Sequence, residues 1–131
     1  MTALDSNVLL RYLLKDDPQQ ARKAKGLIDR LDRGGEQAHV SDVVLCEVVW
    51  VLAKTHDYRR ARIGAVLRQL LAARQLTFDS RDRLLRALQA FTSGKGGFAD
   101  YVIREHAREA GCDTVRTFDR DLLGEEMFAA P

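Results

Sequence analysis

The chain has 131 residues, of which 46% are hydrophobic and 31% charged, and this length and apolar content suit one domain, residues 1–131, with one core. Its 21 Lys and Arg residues against 19 Asp and Glu give a net charge of only +2, so bulk charge does not by itself indicate a nucleic-acid-binding protein. No stretch has the roughly 18 apolar residues of a membrane-spanning helix, and the N-terminus lacks the pattern of a signal peptide. We therefore expect a cytoplasmic protein that does not enter membranes.

The first half of the chain alternates short apolar runs with helical patterns. Apolar residues spaced three or four apart indicate helices, while Pro18, Ser41 and the Gly34–Gly35 pair mark helix ends. These signals predict a strand at residues 2–5, helices at 8–14 and 18–33, a strand at 38–40, and a helix capped by Ser41 that runs to about residue 54.

The second half continues the alternation. We predict a helix at 59–74, a strand at 75–78, a helix capped by Asp79 or Ser80, a glycine loop at 93–97, a helix at 98–110 and a strand at 114–118. Strands that alternate with helices predict a parallel sheet, because parallel neighbours need a crossover connection. In such sheets functional groups gather at the carboxyl ends of the strands, where Asp5 and Asp119 fall.

Glu47 interrupts a helix that is apolar on nearly every side, with neighbours such as Val44, Val48 and Trp50. A helix of this kind is expected to be buried on most sides, and an ionised carboxylate there is costly unless it is paired or bound to a metal. Glu47 therefore predicts a site. The alternative is a narrow solvent-facing stripe that Glu47 shares with Lys54, two turns later.

Three further acidic residues stand at ends of predicted elements. Asp5 and Asp119 follow strands, and Asp100 lies in the first turn of a helix after the glycine loop. Each has a structural explanation, since Asp caps helices well and Arg104 offers Asp100 an ion pair four residues on. Asp121 could equally take the place of Asp119 in each of these roles. Four such residues together nevertheless favour a shared acidic pocket.

Other candidate sites are weaker. The lysine among glycines at 94–97 lacks the spacing of a phosphate-binding loop. The histidines lack zinc-ligand spacing, and we expect His106, on the apolar side of its helix, to be structural. Cys46 and Cys112 lie in or beside apolar segments, and we expect two buried, reduced thiols.

The acidic residues occur within four segments that follow one another along the chain. These are Leu4-Asp5-Ser6-Asn7 with its following apolar residues, the helix at 41–52 around Glu47, Phe98-Ala99-Asp100, and Thr117-Phe118-Asp119. With these segments in this order, the chain resembles the PIN-domain proteins, and among them the VapC-type ribonuclease toxins of bacterial toxin–antitoxin pairs. The resemblance covers essentially the whole chain. It implies a three-layer α/β/α fold with a short central parallel sheet of about four to five strands flanked by helices.

The resemblance also implies the chemistry of the site. Asp5, Glu47, Asp100 and Asp119 would hold Mg²⁺ or Mn²⁺, as one ion or two, and would hydrolyse RNA to products with a 5′-phosphate and a 3′-hydroxyl. Ser6 stands where the family usually has a small hydroxyl residue, and Asn7 would support Asp5. Thr117 and Asp121 would support Asp119 in the same way.

The resemblance further implies a homodimer and an antitoxin that presents an Arg to the acidic pocket. Five basic residues near the predicted strand ends are candidates for gripping RNA, although each is as easily an ordinary surface charge: Arg11, Lys15, Lys95, Arg116 and Arg120.

Two other functions stay open from the sequence. A Mg²⁺-dependent phosphoacceptor domain also gathers acidic residues at strand ends, but Asp5 lacks the adjacent acid that it normally has. A catalytically silent binding or scaffold module would use the same carboxylates as caps and surface groups. Labelling by acetyl phosphate would reveal the first, and calorimetry of metal binding separates the second from an enzyme.

Overall fold

Six helices and five short strands make up the chain in the computed structural model, which describes residues 1–131. In chain order they are β1 (Thr2–Ala3), α1 (Ser6–Leu14), α2 (Pro18–Arg33), β2 (Ala38–Val40), α3 (Asp42–Lys54), α4 (Arg60–Ala72), β3 (Leu76–Phe78), α5 (Arg81–Ser93), α6 (Phe98–Glu109), β4 (Val115–Arg116) and β5 (Phe128–Ala129). Every predicted helix is present, within a few residues of its expected bounds. None of the helices is both long and apolar enough to cross a membrane.

The helices begin where the sequence offers a capping side chain. Asp5, Asp17, Ser41 and Ser80 each accept a hydrogen bond from the backbone amide three residues later, at the starts of α1, α2, α3 and α5. Pro18 occupies the first position of α2, as predicted. Because these signals are local, the sequence alone is enough to place the helix starts.

The strands form two small parallel sheets. One has the order β1-β2-β3, with Thr2 opposite Ala38 and Ala38 opposite Leu76, and the other pairs β4 with β5. The α/β class and the five strands agree with expectation, but the sheet is divided, and β5 has no counterpart among the individually predicted elements. The amides of Val115 and Thr117 donate to carbonyls at the β5 end of the chain, so β4 is paired there. Asp119 therefore follows the second sheet, whereas Asp5 follows the first.

The core lies between the three-stranded sheet and the helices. It is one cluster of 25 buried residues, which includes Val40 of β2, Leu45 and Leu52 of α3, Leu67 of α4 and Leu84 of α5. Helix α6 closes this core and meets the C-terminus, where Tyr101 and Phe128 pack edge to face with ring centroids 6.3 Å apart. The last strand thereby anchors the segment that carries Asp119.

Candidate active site

The start of α1 and the middle of α3 meet through a hydrogen bond. The Ser6 hydroxyl donates to Oε2 of Glu47 over 2.8 Å, across 41 residues of sequence. The neighbouring Asp5 caps α1, with its Oδ1 accepting from the amide of Val8 at 3.1 Å. Asn7 and Asp5 line the same small cleft beside α2. The structure therefore brings Glu47 to Ser6, which directly follows Asp5 in the chain.

Glu47 is exposed, so the prediction that it is buried was wrong. Helix α3 buries Leu45, Val48, Val49 and Leu52 on one side. Its other side carries Glu47 and Lys54 together with two exposed apolar residues, Val43 and Trp50. The solvent-facing stripe of Glu47 and Lys54 is therefore present, and a role of Glu47 in a site stays a prediction. Apolar residues on the exposed face gave the helix the appearance of a buried one.

Asp100 sits in the first turn of α6, where its Oδ2 accepts from the amide of Gly97 at 2.8 Å. The expected ion pair with Arg104 does not form, because Arg104 turns to Glu105 instead. Asp100 lies near Cys46 of α3. The pKa of the Cys46 thiol is raised to about 11, most strongly by burial and then by the negative charges of Asp42 and Asp100. Asp100 therefore acts electrostatically on the residue next to Glu47.

Asp119 lies in an exposed turn whose hydrogen bonds are local. Its amide donates to the Thr117 hydroxyl at 3.0 Å, and its Oδ1 accepts from the amide of Asp121 at 2.9 Å. Thr117 thus holds the backbone of this turn at Asp119, and its supporting role in a site stays a prediction. No hydrogen bond or ion pair joins Asp119 or Asp121 to the other acidic residues. Of the four predicted carboxylates, Asp119 is the one without a structural link to the site.

The carboxylates suit a hard divalent cation in their chemistry. None of the four predicted residues forms an ion pair with a basic side chain, whereas the buried carboxylates of Asp42 and Glu105 are both paired with Arg. Unpaired carboxylate oxygens beside a hydroxyl are the ligands that Mg²⁺ and Mn²⁺ prefer. No three Asp, Glu, His or Cys side chains are yet close enough to hold an ion between them. The chemistry of these donors suits such an ion, but the side chains as they stand do not converge on one point.

Comparison with known families identifies the family of the chain. The sequence model of the PIN domain matches residues 2–124, which is nearly the whole chain. The chain belongs to the PIN-domain family. PIN domains are usually nucleases, and they generally use divalent metals. No curated protein matches the chain in a separate search.

Asp42 is a buried acidic residue of this PIN domain that the sequence analysis missed. It is 5% exposed, and its Oδ2 accepts from Arg83 at 2.8 Å and from His106 at 2.6 Å, while its Oδ1 has no partner. His106 is therefore a half-exposed partner of Asp42, on the face of α6 that also carries Val102 and Ile103. In the sequence, Asp42 in the first turn of α3 looks like an ordinary residue of a helix start. Its partners Arg83 and His106 are 41 and 64 residues away along the chain. Nothing local in the sequence reveals this pairing.

Glu105 of α6 is the second buried carboxylate that sequence reasoning missed. It is 1% exposed and accepts hydrogen bonds from Arg104 at 3.0 Å, Arg86 at 3.1 Å and Arg108 at 3.3 Å. Burial is the largest single influence and opposes its ionisation, but the three arginines together outweigh burial and lower its pKa. Glu105 is therefore held as an anion. Its helix carries Arg104 and Arg108 next to it, so the sequence pattern resembles a solvated face.

The five candidate RNA-binding residues differ in their surroundings. Arg11 pairs with Asp16, Lys15 ends α1 with a left-handed backbone, and Arg116 donates to the carbonyl of Ala130. Lys95 and Arg120 have no carboxylate partner and line the same cavity. The two cysteines also differ from expectation, because Cys46 is only half-buried and Cys112 is exposed.

Proposed function

We propose that this PIN domain is a metal-dependent endoribonuclease that hydrolyses RNA phosphodiester bonds, and that it is the toxin of a VapBC-type toxin–antitoxin pair. The hydrogen bond between Ser6 and Glu47 carries the proposal, because it joins the end of β1 to α3 at two unpaired carboxylates, Asp5 and Glu47. Family membership supports nuclease chemistry in general. Because the substrate is cellular RNA, the proposal includes a cytoplasmic location.

In the proposed mechanism Asp5, Glu47 and Asp100 would hold Mg²⁺ or Mn²⁺, which would supply charge neutralisation and an activated water. Ser6 orients the Glu47 carboxylate through its hydrogen bond. The free amides at the start of α1 favour the approach of a phosphate to Asp5. Asp119 completes the pocket or orients the water. The products carry a 5′-phosphate and a 3′-hydroxyl, as in similar metal-dependent nucleases.

The test is the substitution Asp5→Asn, measured as RNA cleavage with Mg²⁺ or Mn²⁺. We expect a loss of at least about 100-fold, since a metal site stabilises the transition state by several kcal/mol. Folding should be kept, because Asn is as good an N-cap as Asp.

Asp17→Asn is a matched control, because Asp17 caps α2 with the same geometry and lies outside the proposed site. It should cleave RNA at the wild-type rate. Cleavage by Asp5→Asn at the rate of this control would refute the assignment of Asp5.

The proposal includes a homodimer formed through the outer faces of α3 and α6. Three large apolar residues are exposed there, Val43 at 69%, Trp50 at 62% and Ile103 at 54%. Val43, Trp50 and Ile103 line one groove of about 560 Å³. Apolar side chains clustered in this way are typical of a surface that another subunit covers.

The proposal also includes an antitoxin that inhibits the enzyme. The site carboxylates have no basic partner within the chain, so an Arg from another protein would find unpaired acceptors there. Such an Arg would occupy the place of the divalent cation. The Arg would neutralise the negative charge of the site without supplying the chemistry of the metal ion, and the enzyme would therefore be inhibited.

A further inference from the structure

A polar cavity lies on the opposite side of α6 from the apolar groove at α3. It has a volume of about 780 Å³ and is bounded by α5, α6, the loop at 93–95 and the segment at 120–126. Its lining is mostly charged, with only two hydrophobic residues among 15. The basic residues are Arg86, Lys95, Arg104, Arg108 and Arg120, against the acidic Glu105, Asp121, Glu125 and Glu126. A lining of this kind suits a charged ligand better than an apolar one.

Arg104 is the most distinctive residue of this cavity. It is only 7% exposed, and it lies beside the rings of Tyr101 and Phe128, with its guanidinium carbon 5.2 and 5.9 Å from their centroids. Its Nε donates to Glu105, but neither terminal nitrogen has an acceptor. The one fully buried side-chain atom without a partner is Oδ1 of Asp42, so the terminal nitrogens of Arg104 are not fully buried, and Arg104 lines the cavity. A rigidly held guanidinium thus presents unused donors to it.

Five basic residues of the lining face four acidic ones, of which Asp121 forms no ion pair. The carboxylate of Glu105 accepts from three arginines, Glu126 pairs with Arg108, and Glu125 accepts from the Tyr101 hydroxyl and the Lys95 amide. Lys95 and Arg120 form no ion pair. An anion would therefore gain the unpaired charges of Lys95 and Arg120 in addition to the donors of Arg104. The planar fork of a guanidinium matches the oxygens of a phosphate group.

We propose that this cavity binds a backbone phosphate of single-stranded RNA, a step that rests on the proposed function. Two features of the chain link it to the proposed site. Arg120 directly follows Asp119, and Lys95 belongs to the loop that leads into α6 and Asp100. An RNA strand that passes from Asp100 along α6 would reach Arg104, one helical turn later, together with Lys95 and Arg120 of the same cavity.

The experiment measures the affinity of a fluorescein-labelled single-stranded RNA by anisotropy, in EDTA so that no cleavage occurs, over a series of salt concentrations. Lys95→Gln/Arg120→Gln is expected to weaken binding by about ten-fold or more, since hydrogen bonds to charged groups are individually strong. The slope of log affinity against log salt should fall by about 0.7 for each phosphate that the variant no longer neutralises. Arg104→Met should also weaken RNA binding. In this variant Glu105 still has two arginine partners, Arg86 and Arg108.

Arg22→Gln/Arg33→Gln is the matched control, because it removes two exposed, unpaired charges of α2. Equal affinities for the Lys95/Arg120 variant and this control would overturn the inference, as would a wild-type protein that binds no RNA in EDTA. A cavity that binds inorganic phosphate, with RNA affinity unchanged by the substitutions, would also overturn it. The proposed nuclease function is tested separately by Asp5→Asn with metal present, so either proposal can fail alone.

Discussion

Glu105→Gln tests whether the buried carboxylate of α6 stabilises the fold through its charge. Gln has nearly the same shape as Glu, so the substitution leaves no cavity and removes mainly the charge. Glu105 is almost wholly buried, and three arginines donate to it. Any large loss of stability must therefore come from arginines left without their counter-ion.

The three arginines do not contribute equally. Arg86 and Arg108 are about half-exposed and each keeps a second carboxylate, so their pairs with Glu105 contribute little. Arg104 is buried and has no other carboxylate. Leaving it uncompensated costs about 3 kcal/mol, the lower end of the range for breaking a buried ion pair, because its terminal nitrogens reach the cavity. The melting temperature should fall by about 10 °C for a domain of this size.

The pH dependence gives a second reading of the same interaction. The folded protein lowers the pKa of Glu105, so its contribution to stability is present above the ordinary glutamate pKa and is lost as pH falls through the lowered value. The stability difference between wild type and Glu105→Gln should therefore be full at pH 7. It should shrink as pH falls below about 4, where the unfolded glutamate becomes protonated.

The assay is urea unfolding followed by far-UV circular dichroism, which reports on the six helices of the fold. Glu109→Gln is the control, because this exposed residue pairs with Arg83 and Arg86, which both keep another carboxylate. Its effect should be much smaller. A loss for Glu105→Gln no larger than that of Glu109→Gln would refute the reasoning, as would a difference that does not shrink at acid pH.

Two other substitutions test the packing and the assembly. Gly94→Ala would place a methyl group against the Tyr101 hydroxyl and should destabilise the fold by about 1–3 kcal/mol in urea unfolding. Gly34→Ala, whose added methyl group meets only ordinary neighbours, should have little effect, and equal losses would contradict the steric argument. Trp50→Arg should convert the proposed dimer to a monomer in light scattering after size exclusion, whereas Leu85→Arg, an exposed residue of α5, should not. A wild-type monomer at high concentration would disprove the dimer.

The sequence predicted the local structure well because its signals are local. Ser41 and Ser80 cap helices where they were expected to, and Pro18 begins α2. The hydrogen bonds that start a helix span three or four residues, so the deciding side chains lie next to the structure they decide. The order of the acidic segments also identified the family that the PIN-domain match confirmed.

The face of α3 and the partners of the buried charges were not predictable in this way. Apolar residues cover both sides of α3, and only packing against the rest of the chain shows that Glu47 faces outward to Ser6. Cys112 is likewise exposed although its apolar surroundings suggested burial. Periodicity assigns a face to a helix only when polar and apolar residues separate.

The sequence by itself determined the class of fold, the positions of the helices and the set of acidic residues in their order along the chain. The tertiary structure alone decided which carboxylates are paired with arginine and which are free: Asp42 and Glu105 on one hand, Asp5 and Glu47 on the other. The physical reason is distance along the chain. Asp42 meets Arg83 from 41 residues away, and such pairs form only when helices that are remote in sequence pack against each other.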